Sequence, residues 1–124
     1  MSEGRAAGDA QRLLELQELV QAVEKALESR EYKAGRPVAN RLAASTGAWI
    51  DDIQHDPEID AELTAALKVF RNAAFAFRQL SKASRGTGRN VAMAETCATL
   101  IAQGRDVLAI YTERHGLSGE APEA

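Results

Sequence analysis

The sequence predicts an all-α protein, an antiparallel up-down-up-down four-helix bundle. Three observations carry that expectation. Apolar residues recur at spacings of three and four through four separate segments, the period of a helix face. Alanine is abundant, whereas proline (3 residues) and aromatics (5%) are scarce, which favours helices over strands. No stretch alternates apolar and polar residues as a half-buried strand does. An irregular orthogonal helical bundle is the alternative, if Gly47 interrupts the second helix.

The first helix is expected over residues 9–34. Leu13, Leu16, Val20, Val23 and Leu27 form a seam spaced 3, 4, 3, 4. Leu14, Leu19, Ala22 and Ala26 widen it, as a bundle helix with several neighbours requires. Asp9 reads as the N-cap and Gly35 as the residue after the C-cap. Residues 1–8 are then a flexible N-terminus.

Pro37 suits the first position of the second helix. Its inner face is expected to be Val38, Leu42, Thr46, Trp49, Ile50 and Ile53. The next junction is "HDPEID", with Asp56 as N-cap, Pro57 following it, and acids in the first turn. A third helix from about Pro57 to about Ser84 has Ile59, Leu63, Leu67, Phe70, Ala74, Phe77 and Leu80 inward. Gly86 ends it. The fourth helix begins at Thr87 or Gly88 and uses Val91, Ala94, Ala98, Ile101, Leu108 and Tyr111. Gly116 and Leu117 read as its Schellman ending, and residues 117–124 as a disordered tail. One domain over 9–116 results, with short connections between antiparallel neighbours. In a regular bundle Gly47, Phe70 and Gly104 lie at similar heights, small residues opposite a large ring.

Charge is distributed unevenly along a chain whose net charge is -3. Residues 51–62 hold six acids and no base, whereas residues 63–94 hold six bases and no acid. The up-down topology puts the third-to-fourth turn at one end, together with Arg30, Lys33 and Arg36. An acidic pole and a basic pole follow. Acids at a helix start and bases at its finish complement the macrodipole, at about 0.3–1 kcal/mol each, which accounts for the pattern without any function. The functional alternative is an anion site built from Arg85, Thr87, Gly88 and Arg89, at the amides that open the fourth helix.

Within the basic segment, Phe70 and Phe77 share the core stripe. Phe75 does not. It lies instead with Arg71, Arg78 and Lys82 at helical spacings, an aromatic among cations on an outer face. Three environments suit it: the edge of the core, a protein interface where Phe and Arg are enriched, or stacking on a nucleobase.

Catalytic signatures are sparse. Asp52 and His55 have helical ligand spacing near other acids and form a weak metal candidate, for which a solvated helix end is the simpler reading. His115 reads as a capping cation, and Cys97 as a buried, inert thiol. "RNAAFAFR", beginning at Arg71-Asn72, and "RDVLAIY", beginning at Arg105, resemble the opening of the Arg-to-His motif of small helical HEPN-type nucleases. The histidine positions hold Ala76, Phe77 and Arg78 in the first and Ile110 in the second, so the resemblance implies at most a non-catalytic relative.

The expected role is a non-enzymatic helical interaction protein, self-associating as a homodimer and needing no cofactor. Two alternatives stand beside it: a binder of a phosphorylated or anionic ligand or nucleic acid at the basic end, and a weak metal protein or enzyme at Asp51–Glu62. A pI of about 5.4 counts against nucleic acid. The single cysteine excludes an internal disulfide, and "MSEGRAAGDA" has no apolar region of the signal-peptide kind. No apolar run approaches bilayer length, so a cytoplasmic protein is the expectation.

Overall fold

The structure is a computed structural model that describes the backbone of residues 2–53, 61–80 and 88–115. Side chains are described for residues 10–53, 61–80 and 91–114. Four helices make up the fold: α1 (Ser2–Ser29), α2 (Tyr32–Ile53), α3 (Ala61–Leu80) and α4 (Gly88–His115). They form a four-helix bundle, and each packs mainly on its neighbour in sequence. Antiparallel neighbours show in the pairs that cross the seams. Arg12 pairs with Asp52, and Ser45 Oγ donates to Glu15 Oε1 at 3.1 Å, which sets α1 against α2. Cys97 Sγ donates to the Ala73 carbonyl at 3.3 Å, and Arg114 pairs with Glu62, which sets α4 against α3. No helix among the described residues is long and apolar enough to cross a membrane.

The core follows the stripes. Leu13, Leu16, Val20 and Val23 of α1 are buried, as are Leu42, Trp49, Ile50 and Ile53 of α2. In α3 Leu63, Leu67, Phe70, Ala74, Phe77 and Leu80 are all inside. Buried Thr46 keeps its hydroxyl satisfied within its own helix, donating to the carbonyls of Leu42 at 2.8 Å and Ala43 at 3.1 Å.

Four expectations about the elements fail. α1 starts at Ser2, ahead of the expected cap at Asp9. Its other end comes at Ser29, where Arg30 adopts φ 60° and a Schellman pattern closes the helix. The Glu31 amide donates to the Ala26 carbonyl at 3.0 Å, and the Arg30 amide to the Leu27 carbonyl at 3.3 Å. Hence neither Gly35 nor Pro37 marks the junction. Pro37 sits inside α2, beyond the first turn, where its missing N–H removes one bond of the ladder. In the early turns of α4 the inward line runs through Cys97, Ile101 and Gly104, while Ala98 is exposed and Val91 is 57% exposed. Leu14, expected to widen the α1 face, is 46% exposed.

Gly47 does not interrupt α2, which runs through it unbroken. The junctions around Asp56 and Pro57 and around Gly86 and Thr87, and the ending at Gly116 and Leu117, lie outside the described residues.

Two glycines fit two phenylalanine rings. A Cβ on Gly104 of α4 would lie 2.7, 2.8 and 2.9 Å from three atoms of the Phe70 ring. On Gly35 of α2 it would meet Phe77 Cζ and Ala26 Cβ, both at 2.6 Å. α3 therefore sits at the centre of the packing, with one ring seated in a glycine notch on each neighbouring helix. The expected opposition of Phe70 and Gly104 holds, but Gly47 faces open space, with nothing within 4 Å of its Cβ position.

Candidate functional site: the outer face of α2 and α3

The contact between Gly35 and Phe77 sets the register of α2 against α3, and Tyr32 adds an edge-to-face ring contact with Phe77 at 6.0 Å. With Phe77 and Phe70 inward, the helical period turns Lys68, Arg71, Phe75 and Arg78 towards the α2 side of α3 and its outer surface. The same period, counted from buried Gly35, Ala39 and Leu42, turns Lys33, Arg36 and Asn40 towards the α3 side of α2 and outward. The register brings Arg36 and Asn40 level with Arg71, Phe75 and Arg78. Two helices thus contribute to one face.

The face contains no carboxylate. α2 carries none from Tyr32 to Ile50, and α3 none from Leu63 to Leu80. Five cations remain: Lys33, Arg36, Lys68, Arg71 and Arg78. Elsewhere cations meet acids across the seams, as Arg12 meets Asp52 and Arg105 meets Glu24 at 2.8 Å. Among the described residues, Lys33, Arg36, Lys68 and Arg71 make no ion pair with an acid. Lys33, Arg36 and Lys68 are exposed, and Arg71 and Arg78 half-buried. Arg71 Nε is shielded from solvent and donates to nothing among the described residues. A shielded donor of a charged group without a partner is destabilising.

Phe75 is 43% exposed. The Arg78 guanidinium lies 5.9 Å from its ring centroid, a cation–π pair at the surface. The core-edge environment is thereby removed: the ring is not tucked under a neighbouring helix. Of the sequence-derived interface set, Arg71, Phe75 and Arg78 come together, and Lys82 lies outside the described residues. So do Arg85 and Thr87 of the anion set. Gly88 opens α4 and Arg89 follows it, with no description of the Arg89 side chain. His55 and the side chain of His115 also lie outside the described residues. Asp52 is engaged by Arg12, and no group of three or more metal-ligating side chains occurs among the described residues.

Of the expected basic pole, Lys82, Arg85 and the Arg89 side chain lie outside the described residues. Arg30, Lys33, Arg36 and Arg78 do gather towards the end where α1 turns into α2. Lys68 and Arg71 sit further along α3 and continue the positive charge along the side of the bundle.

Two other features lie away from this face. A groove of about 490 Å³ follows the α1–α4 seam, with Leu16, Val20, Phe70 and Leu108 as its floor and Gln17 and Thr112 at its rim. The floor residues are all buried. Cys97 is buried against Ala73, and burial pushes its thiol up to about 12, which leaves it protonated and unreactive at neutral pH.

No protein-family model, no curated protein and no solved structure matches this chain. The site rests on its own geometry.

Proposed function

We propose that this chain is a non-enzymatic interaction protein whose working surface is the outer face of α2 and α3. The observation that carries the reading is the absence of any carboxylate from two adjacent helical spans, Tyr32–Ile50 and Leu63–Leu80, in a chain whose net charge is -3. Macrodipole complementarity asks for bases only in the last turn of α3. It does not ask for Lys68 and Arg71 in the middle of α3, nor for Lys33 and Arg36 in the early turns of α2, where the dipole disfavours cations. The exposed Phe75 under Arg78 adds the residue pair that binding surfaces enrich.

Self-association through this face by a two-fold axis is disfavoured, because five cations would meet five, and like charges in juxtaposition cost several kcal/mol. The surface therefore suits an anionic partner better than a second copy of itself. Titrating isotopically labelled protein with a short poly-glutamate peptide and with a fifteen-residue oligothymidylate tests this at the level of charge. Amide shifts at low salt should fall on residues 33–40 and 68–79, fade steeply as salt rises, and vanish for the Arg36→Glu, Arg78→Glu double variant. Shifts from neither polyanion on that face would refute the reading.

A further inference from the structure

We infer that the α2–α3 face receives α4 of a second copy of this chain, with Ile110 set against Phe75 and the carboxylates of Asp106 and Glu113 set among the cations. This deepens the reading of the α2–α3 face and rests on it. The occupant is read from a different surface of the same molecule.

Four large apolar side chains are exposed among the described residues: Leu14, Phe75, Val91 and Ile110. Two of them sit between charges of one sign on a helix face. Phe75 has Arg71 four residues before it and Arg78 three residues after it. Ile110, 48% exposed, has Asp106 four residues before it and Glu113 three residues after it. Such offsets place each set along one side of its helix. The spacing is the same and the signs are opposite. In both sets the outer charges are seven residues apart, about 10 Å along the axis, so the two lines also match in reach. Neither Leu14 nor Val91 has charges on both sides at these offsets.

The acids of α4 have no counterpart in their own bundle. Asp106 and Glu113 are exposed and make no ion pair among the described residues. The two cations beside them are committed within the chain, Arg105 to Glu24 at 2.8 Å and Arg114 to Glu62. The outer side of α4 thus presents negative charge around an apolar centre, as α3 presents positive charge around Phe75. This match favours a second copy over a nucleic acid. The complement of the face, in sign, spacing and apolar centre, is carried by the chain itself.

The contact joins two different surfaces, so it is heterologous, and each pairing leaves one surface of each kind open. Association then continues head to tail. It does not bring the basic face against itself. A contact this small and this dependent on charge is weak and sensitive to salt.

The test is sedimentation equilibrium of the full chain. In low salt the average mass should grow with concentration past that of a dimer, and in high salt it should return towards the monomer. Two triple variants, each checked for native helicity by circular dichroism, remove one surface apiece. Asp106→Asn, Ile110→Ser, Glu113→Gln removes the acidic set, and Arg71→Gln, Phe75→Ser, Arg78→Gln removes the basic one. Each alone should stay monomeric. Mixed, they should form a one-to-one complex that grows no further, because each supplies the surface the other lacks. Ile110→Ser alone should weaken association about fivefold, and Leu14→Ser, at an exposed leucine on another face, should leave it unchanged. A monomer at every concentration in low salt would overturn the inference. So would growth that survives either triple variant, or a mixture of the two that stays monomeric. Amide shifts with poly-glutamate and oligothymidylate then decide the α2–α3 face separately. Shifts on residues 33–40 and 68–79 would leave it standing as a surface for another anion, a nucleic acid included, and their absence would remove both readings.

Discussion

Replacing Gly104 by alanine should destabilise the bundle, although by helix propensity alone it should stabilise it. Ala is better than Gly in a helix interior by about 1 kcal/mol. Against that gain stands the Phe70 ring, three of whose atoms would lie 2.7–2.9 Å from the new methyl. Overpacking a close-fitted interior costs about 1–3 kcal/mol. Phe70 is 1% exposed, and the α1–α4 groove that it lines with Leu16, Val20 and Leu108 is the space into which its ring would have to shift. The net expectation is a loss of about 1 kcal/mol, roughly 4 °C in Tm for a domain of this size. Gly47→Ala is the control. The same methyl there meets nothing within 4 Å, so the propensity gain should appear undiminished, as about 0.5–1 kcal/mol of added stability. Gly35→Ala should be the worst of the three, because its methyl strikes Ala26 Cβ, which only backbone movement can displace. The assay is urea unfolding followed by circular dichroism and by the fluorescence of Trp49, the single tryptophan, which is buried in the native state. Phe70→Leu in the Gly104→Ala background should recover part of the loss, with a coupling energy of about 1 kcal/mol between the two sites. If Gly104→Ala raises the midpoint as Gly47→Ala does, the ring is not seated in the notch and the reasoning fails.

Further outcomes follow from other contacts. Arg30→Gly should stabilise the protein by about 1 kcal/mol, because φ 60° at that position is costly for a residue with a Cβ; an unchanged urea midpoint would count against the Schellman closure. Cys97 should give the protein an alkaline limit. Its folded pKa is raised to about 12, so between about pH 9 and 12 the unfolded chain has lost a proton that the native state keeps. Stability then falls as pH rises through that window, by roughly 1.4 kcal/mol per pH unit at most, and Cys97→Ala should flatten the slope. Phe75→Ala should change stability by less than about 1 kcal/mol, whereas Phe77→Ala should remove about 3–5 kcal/mol, as thermal unfolding of the two variants will show.

The inward stripe of α3 is legible in the sequence because little competes with it: Leu63, Leu67, Phe70, Ala74, Phe77 and Leu80 are large or well spaced, and the opposite side is polar apart from Phe75 and Ala65. α4 was harder. Ala94, Ala98 and Ile101 keep helical spacing as well as Cys97, Ile101 and Gly104 do, and small side chains give little weight to either line. The first junction misled for a different reason. Gly35 and Pro37 carry the chemistry of a helix boundary, but Gly35 is required by the Phe77 ring and Pro37 is tolerated within α2. The true stop, Arg30, is an arginine in a left-handed conformation, and arginine gives no hint of one. At the candidate site, Arg71, Phe75 and Arg78 stood out as a group along one helix. The contribution of Lys33, Arg36 and Asn40 did not, because it depends on the register of α2 against α3. The period of either helix alone does not contain that register.

The thin seam between α1 and α4 has a consequence for the order in which the bundle comes apart. α1 leans on α2 and approaches α3 and α4 less closely than those two approach each other, so it is the helix expected to come away first. Amides of α1 should therefore exchange with deuterium through a partial opening that spares α3 and α4. The last protected hydrogens should be those around Phe70 and Ala73, where the two most closely packed helices hold each other.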